Sequence, residues 1–172
     1  MYNGGMERKV KRVYVETSVI SGMFDKNDHP IKSQPFWDAV NKGEVRVVLS
    51  DVLVNELKQS PDNVREFYRQ IPESQIERIV STPMSNTLAG RYIKAGILTP
   101  NHLTDCKHVA LAMLACVDVL VSWNTKHIVN KNRITKPKTM KHYYRSLTLA
   151  TLVLLFAIFS AAFFRSRKNI AI

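Results

Sequence analysis

Four side chains stand where a layered α/β chain would place its chemistry: Glu16, Glu56, Asp105 and Asn124. Glu16 closes the apolar run Val10-Lys-Arg-Val-Tyr-Val15, and Asn124 follows the run Asp118-Val-Leu-Val-Ser122. Glu56 lies in a helix predicted after the second strand, and Asp105 opens the helix before the last one. All four offer oxygen, the donor that suits Mg²⁺ or Mn²⁺. Such a set can activate water and steady the charge on a phosphodiester. Singly, each has a plainer role, Asp105 as a first-turn acid and Glu56 as part of a solvated helix face. The set as a whole points to metal-assisted hydrolysis.

The elements that must position these groups follow from pattern and punctuation. Val- and Tyr-rich runs predict strands over 10–15, 45–49, 76–80 and 118–122. Between them, helices are predicted over 19–24, 36–41, 51–57, 62–70, 83–95 and 105–115. His29-Pro30 and Pro35 predict a loop over 25–35. Ser50 is a good N-cap with Asp51 in the first turn, and Val52, Leu53 and Leu57 leave Glu56 on the opposite side. Ser60-Pro61 reads as a second cap, Gly96 as a helix stop and Thr104 as the cap of the next helix. Strands alternating with helices predict an α/β layer fold around a mainly parallel sheet. In such sheets reactive groups gather beyond the carboxyl ends of the strands.

Charge is uneven along the 172 residues. The formal net charge is +11, yet every acid lies between Glu7 and Asp118, and residues 131–172 carry nine Lys and Arg with no acid. The basic character is thus mostly a property of the tail, and it is poor evidence for a nucleic-acid-binding domain. At 45% hydrophobic and 23% charged, the composition excludes a wholly disordered chain. Cys106 and Cys116 lie ten residues apart in one predicted helix. That is about 15 Å, too far for a disulfide, so both are expected as small buried hydrophobes in a reducing cytosol. The first twelve residues carry charge without an apolar run after them, so no signal peptide is expected there.

Four motifs together resemble the PIN-domain family, and within it the VapC-like toxin ribonucleases. They are Val13-Tyr-Val-Glu-Thr-Ser-Val-Ile20, Leu49-Ser-Asp-Val-Leu-Val-Asn-Glu-Leu57, Asp105-Cys-Lys-His-Val-Ala-Leu-Ala112 and Asp118-Val-Leu-Val-Ser-Trp-Asn-Thr-Lys-His-Ile-Val-Asn130. The resemblance spans about residues 10–130 and implies a three-layer fold and a metal-dependent single-strand endoribonuclease of the toxin–antitoxin type. It implies that Glu16 and Asp105 are metal ligands, that Glu56 is the second acid and that Asn124 fills the fourth position. Glu16 stands where the family usually has Asp. Thr17 and Ser18 match its hydroxyl residues, with capping as the alternative for Ser18. His108 is expected as a packed or supporting residue, and Lys126 either meets phosphate or caps a final helix. The implied cofactor is Mg²⁺ or Mn²⁺, and the implied partners are single-stranded RNA, a cognate antitoxin and a second copy of the chain.

After Asn130 the resemblance stops. Residues 131–145 hold six Lys and Arg, and residues 147–164 run without a charge. Eighteen residues make a helix of about 27 Å, close to the roughly 30 Å of a hydrocarbon core. The expected organisation is a nuclease domain over 1–130, a basic linker over 131–145, a transmembrane helix over 146–165 and a basic tail over 166–172. Six basic residues before the apolar run and three after it place the nuclease domain in the cytoplasm, anchored to membrane lipid. Glu16, Asn124 and this tail leave an alternative: a catalytically weak PIN-fold binding or regulatory module held at the membrane.

Overall fold

The computed structural model describes residues 10–124 and the two-residue strand Leu152–Val153. Strand β1 (Lys11–Val15) leads into the short helix α1 (Thr17–Ser21) and a 3₁₀ turn, Gly22–Phe24. Helix α2 (His29–Asn41), strand β2 (Val45–Ser50) and helices α3 (Asp51–Leu57) and α4 (Asp62–Gln70) follow. The chain continues through β3 (Ile76–Ile79), α5 (Pro83–Lys94), α6 (Leu103–Leu114), β4 (Val119–Val121) and β5 (Leu152–Val153). All strand pairs are parallel, in the order β3-β2-β1-β4-β5. The α/β layering expected from the sequence is therefore present.

Alternation along β1 explains the layers. Val13 and Val15 join a core with Val19, Phe36, Trp37 and Val64 from α1, α2 and α4, while Tyr14 points into a second core with Leu111 and Ala112 of α6. Helices on both faces account for the near-continuous apolar strands. A third cluster locks α5 to α6 through Leu88, Tyr92, Cys106 and Ala110.

Several boundaries differ from expectation. The segment 25–35 is a loop only as far as Asp28, because α2 begins at His29 and runs through Pro35. Pro30 sits in the first turn, where its missing N–H costs nothing. Pro35 forfeits a bond to Ile31, whose residue is 77% exposed, and a helix-interior proline costs about 3 kcal/mol. Burial of Phe36, Trp37 and Val40 just beyond it outweighs that cost. Thr104 is not a cap, since α6 starts at Leu103 with His102 as N-cap. Nor does Ser60 cap α4: its hydroxyl bonds back to the Glu56 carbonyl, and Pro61 holds the N-cap position. Cys106 is buried, which pushes its thiol up to about 11, but Cys116 is exposed and adopts φ 49° in the turn before β4.

Leu152 and Val153 are extended, where the sequence predicts helix; they pair with Val119 and Leu120. A long apolar run does not by itself distinguish helix from strand. The rest of the expected transmembrane segment 146–165, the linker 131–145 and the tail 166–172 lie outside the described residues. Among the described residues no helix is long and apolar enough to cross a membrane.

One arginine ties the amino ends of the sheet together. Arg12 reaches from β1 across β2 to Glu77 on β3, with contacts of 2.8 and 2.6 Å, and also donates to the carbonyl of Ala115 at 2.9 Å. Its backbone exchanges bonds with Asp118 at the entry to β4. Bonding to Arg12 holds the Glu77 carboxyl below the usual carboxylate range. A depressed folded-state value means that this stabilisation is present above the unfolded value, about pH 4.3, and is lost as pH falls through the folded value. Arg12→Met should therefore lower stability by about 1–2 kcal/mol near neutrality. Urea melts between pH 3 and 7 should also show a shallower acid loss in the variant than in the wild type.

Candidate functional site

The carboxyl ends of β1 and β4 lie side by side, so the residues that follow each strand meet. Glu16 is the first residue beyond β1, and its backbone N–H bonds to the Val121 carbonyl of β4. Its side chain is only 6% exposed. A buried carboxylate must be hydrogen-bonded to stay charged. Ser18 and Ser122 both donate to Glu16 Oε2, the latter at 2.9 Å. Ser18 therefore holds a carboxylate rather than capping α1, whose first turn has no side-chain cap. The Ser18 hydroxyl also accepts from the Trp123 N–H at 2.8 Å, joining the two strand ends a second time.

Trp123 fixes the chain leading to Asn124. Its ring stacks on His29 with centroids 4.0 Å apart, and its Nε1 donates to buried Ser33 at 3.1 Å. Gly22 makes room for it: a Cβ there would lie 2.8 Å from the indole. Asn124 then donates through its backbone to Ser122 Oγ at 2.9 Å and through its side chain to Asp105 Oδ1 at 3.0 Å. His102, the α6 N-cap, approaches the other Asp105 oxygen at 3.3 Å.

Glu56 approaches from α3, which begins at the carboxyl end of β2 because Ser50 caps it by accepting from the Leu53 N–H. Thr17 donates to Glu56 Oε2, and His108 Nε2 contacts the same atom at 3.0 Å. Burial opposes charge on Glu56, but the bonds from His108 and Thr17 outweigh it and hold the carboxyl below its ordinary range. An ionised carboxylate only accepts, so His108 carries its proton on Nε2. In the neutral ring Nδ1 then accepts from Tyr14, at 2.7 Å, and the Tyr14 hydroxyl also contacts Ser50 Oγ at 2.8 Å. Burial pushes the Tyr14 phenol up, which keeps it protonated.

The structure thus joins Glu16, Ser18, Ser122, Asn124 and Asp105 in one hydrogen-bonded set, and Thr17, Glu56, His108, Tyr14 and Ser50 in another. One ligand atom each from Glu16, Glu56 and His108 lies within 4.8 Å of the others, and Asp105 is not part of that tight group. Lys126 lies outside the described residues. Two contributors, Tyr14 and Ser122, escape a sequence reading because they sit inside apolar strand runs and read as core. The signal for Ser122 is a lone hydroxyl at a strand end, level with Glu16.

The donor chemistry fits a hard divalent cation. The described donors to Glu16 and to Glu56 all address Oε2, which leaves one oxygen of each carboxylate for a ligand. His108 serves better as the group that orients Glu56 than as a ligand, because both of its nitrogens are engaged.

The fold is a parallel α/β layer domain with carboxylates gathered beyond its strand ends. The chain is similar to one in the crystal structure of VapBC2 from Rickettsia felis bound to a DNA fragment from their promoter, with a TM-score of 0.50 and 18% identity. The match covers 69% of this chain and 94% of that one. No protein-family model matches the chain, and no curated protein matches it.

Tyr14→Phe tests the buried support behind Glu56. It deprives His108 Nδ1 and Ser50 Oγ of a partner where water does not reach, and should lower unfolding stability by about 1–2 kcal/mol in urea titration. An unchanged midpoint would show that the Tyr14 hydroxyl carries no weight in this core.

Proposed function

We propose that this chain is a divalent-metal-dependent endoribonuclease of the toxin–antitoxin type, acting on single-stranded RNA, with residues 1–130 as its nuclease domain. The observation that carries the reading is the convergence of Glu16, Asp105 and Asn124 at the ends of β1 and β4, linked through Ser122, with Glu56 brought up from α3. The likeness in fold to a chain of VapBC2, a complex bound to promoter DNA, supports an antitoxin partner. A second copy of the chain is part of the same proposal.

Glu16 and Asp105 would hold Mg²⁺ or Mn²⁺, with Glu56 beside them. When bound, such a cation polarises water and offsets charge on the phosphate. The chain's own residues do the rest. Ser18 and Ser122 keep the Glu16 carboxylate pointed along one direction, and Thr17 with His108 does the same for Glu56. With His108 Nε2–H facing it, Glu56 is kept ionised and able to accept a proton from attacking water. Asn124 holds Asp105 by an N–H bond that does not compete for its charge.

Incubating the full chain with single-stranded RNA and Mg²⁺ or Mn²⁺ should give cleavage that EDTA abolishes. Asp105→Asn removes a charge at constant shape and should reduce the rate about 100-fold or more, with the thermal midpoint nearly unchanged. Glu16→Gln should behave alike. Wild-type-like cleavage by either variant, or cleavage that persists in EDTA, would overturn the assignment.

A further inference from the structure

A cavity of about 460 Å³ opens beside the carboxylates, between α3, the start of α5 and the start of α6. Glu56 forms part of its wall, so it communicates with the site just described. Its volume lies within the range of clefts that hold a small organic ligand. The lining is polar, with Asp51, Gln59, Asn86 and Lys107 among the side chains facing it. Such a wall suits neither a lipid nor an apolar peptide.

Asp51 is the most constrained of these groups. Its Oδ1 accepts from the Val52 N–H at 2.9 Å, the Ser81 N–H at 3.0 Å and the Ser81 hydroxyl at 2.9 Å. Three bonds on one oxygen fix the carboxylate plane and leave Oδ2 as an acceptor. A fixed acceptor beside side-chain amides is the equipment that reads the edge of a nucleobase: a carboxylate accepts from an exocyclic amino group, and Asn or Gln pairs with a base in two places. In single-stranded RNA those edges are free to be read. Lys107 adds a cation on α6, one residue before His108. Among the described residues it has no carboxylate partner, so its charge is available to a backbone phosphate.

Resting on the nuclease reading above, we infer that this cavity is a nucleotide subsite that takes the base next to the scissile phosphate and favours a base with an amino group over uracil. Guanine, adenine and cytosine each present an amino donor to Asp51 Oδ2. Uracil offers carbonyl oxygens at the corresponding places. Lys107 anchors the adjoining phosphate without regard to sequence.

The test separates binding from cleavage. Fluorescence anisotropy in EDTA measures the affinity of the full chain for a labelled pentauridylate and for the same oligomer with a single central A, C or G. The amino-bearing oligomers should bind about fivefold or more tighter than the all-uridine one. Asp51→Asn keeps a carbonyl oxygen for Ser81 and Val52 but places an amide donor where Oδ2 stood, so the preference should vanish or invert. Lys107→Ala should weaken all four oligomers alike and flatten the salt dependence by about one unit of slope. Equal affinity for the four oligomers, or an unchanged ranking in a folded Asp51→Asn, would overturn the subsite. Should Asp51→Asn fail to fold, Asn86→Ala decides in its place, because Asn86 is exposed: a weakened ranking supports the subsite and an unchanged one overturns it. The same oligomers are then incubated with Mg²⁺. Base-dependent binding without cleavage overturns the nuclease reading and leaves the subsite standing, and cleavage with no base preference does the reverse.

Discussion

The constraint on which the site depends is the burial of the Glu16 carboxylate at the seam between β1 and β4. A carboxylate so nearly removed from water costs several kcal/mol unless the protein supplies its solvation. Here that solvation comes from hydroxyls on both sides of the seam, Ser18 from the chain after β1 and Ser122 from the end of β4. The requirement propagates outward. Ser122 must also receive the Asn124 N–H, and Ser18 the Trp123 N–H, so the backbone beyond β4 is set by the same hydroxyls that solvate the acid. Asn124 then reaches Asp105, and the position of α6 becomes coupled to that of Glu16.

The second acid is secured from the opposite face of the sheet. Tyr14 is one residue from Val13 and two from Glu16, so the two-residue period of β1 turns its ring toward α6 while its neighbours enter the other core. There its hydroxyl meets both His108 and the Ser50 that caps α3. The helix that carries Glu56 and the helix that carries Asp105 are therefore tied to a single side chain of the central strand. A rigid scaffold of this kind is what holds functional groups to within fractions of an ångström.

This division explains what was legible in the sequence. The strands and most helices read correctly because apolar runs and alternation report burial directly, and Glu16, Glu56, Asp105 and Asn124 read as a set because reactive groups of a parallel sheet gather beyond its carboxyl ends. Misreadings arose where tertiary packing overrode a local signal. Pro35 predicts a break, yet Trp37 and Val40 bury deeply enough to carry α2 through it. Thr104 and Ser60 look like caps, but capping depends on where the backbone turns, and it turns one or two residues away. Tyr14 offers no local hint, because a tyrosine in a strand is ordinary core until the residue opposite it is known to be histidine. The cavity beside Glu56 is assembled from three separate helical segments, so no sequence window contains it.

Electrostatics gives the assembly a direction. Ligand atoms of Glu16 and Glu56 lie within 4.8 Å of each other. At an effective dielectric constant near 20, two unit charges at that separation repel by about 3.5 kcal/mol. Among the described residues neither carboxylate is paired with a lysine or arginine, and only His108 adjoins Glu56. The hydroxyl and imidazole donors orient each carboxylate but do nothing to remove the repulsion between them. A cation held by both would convert that repulsion into attraction, whereas an alkyl ammonium or guanidinium would fill the space that a substrate oxygen needs. Donors that fix the carboxylates, with no lysine or arginine among the described residues to neutralise them, make an arrangement that is costly as a structural element and well matched to a divalent ion.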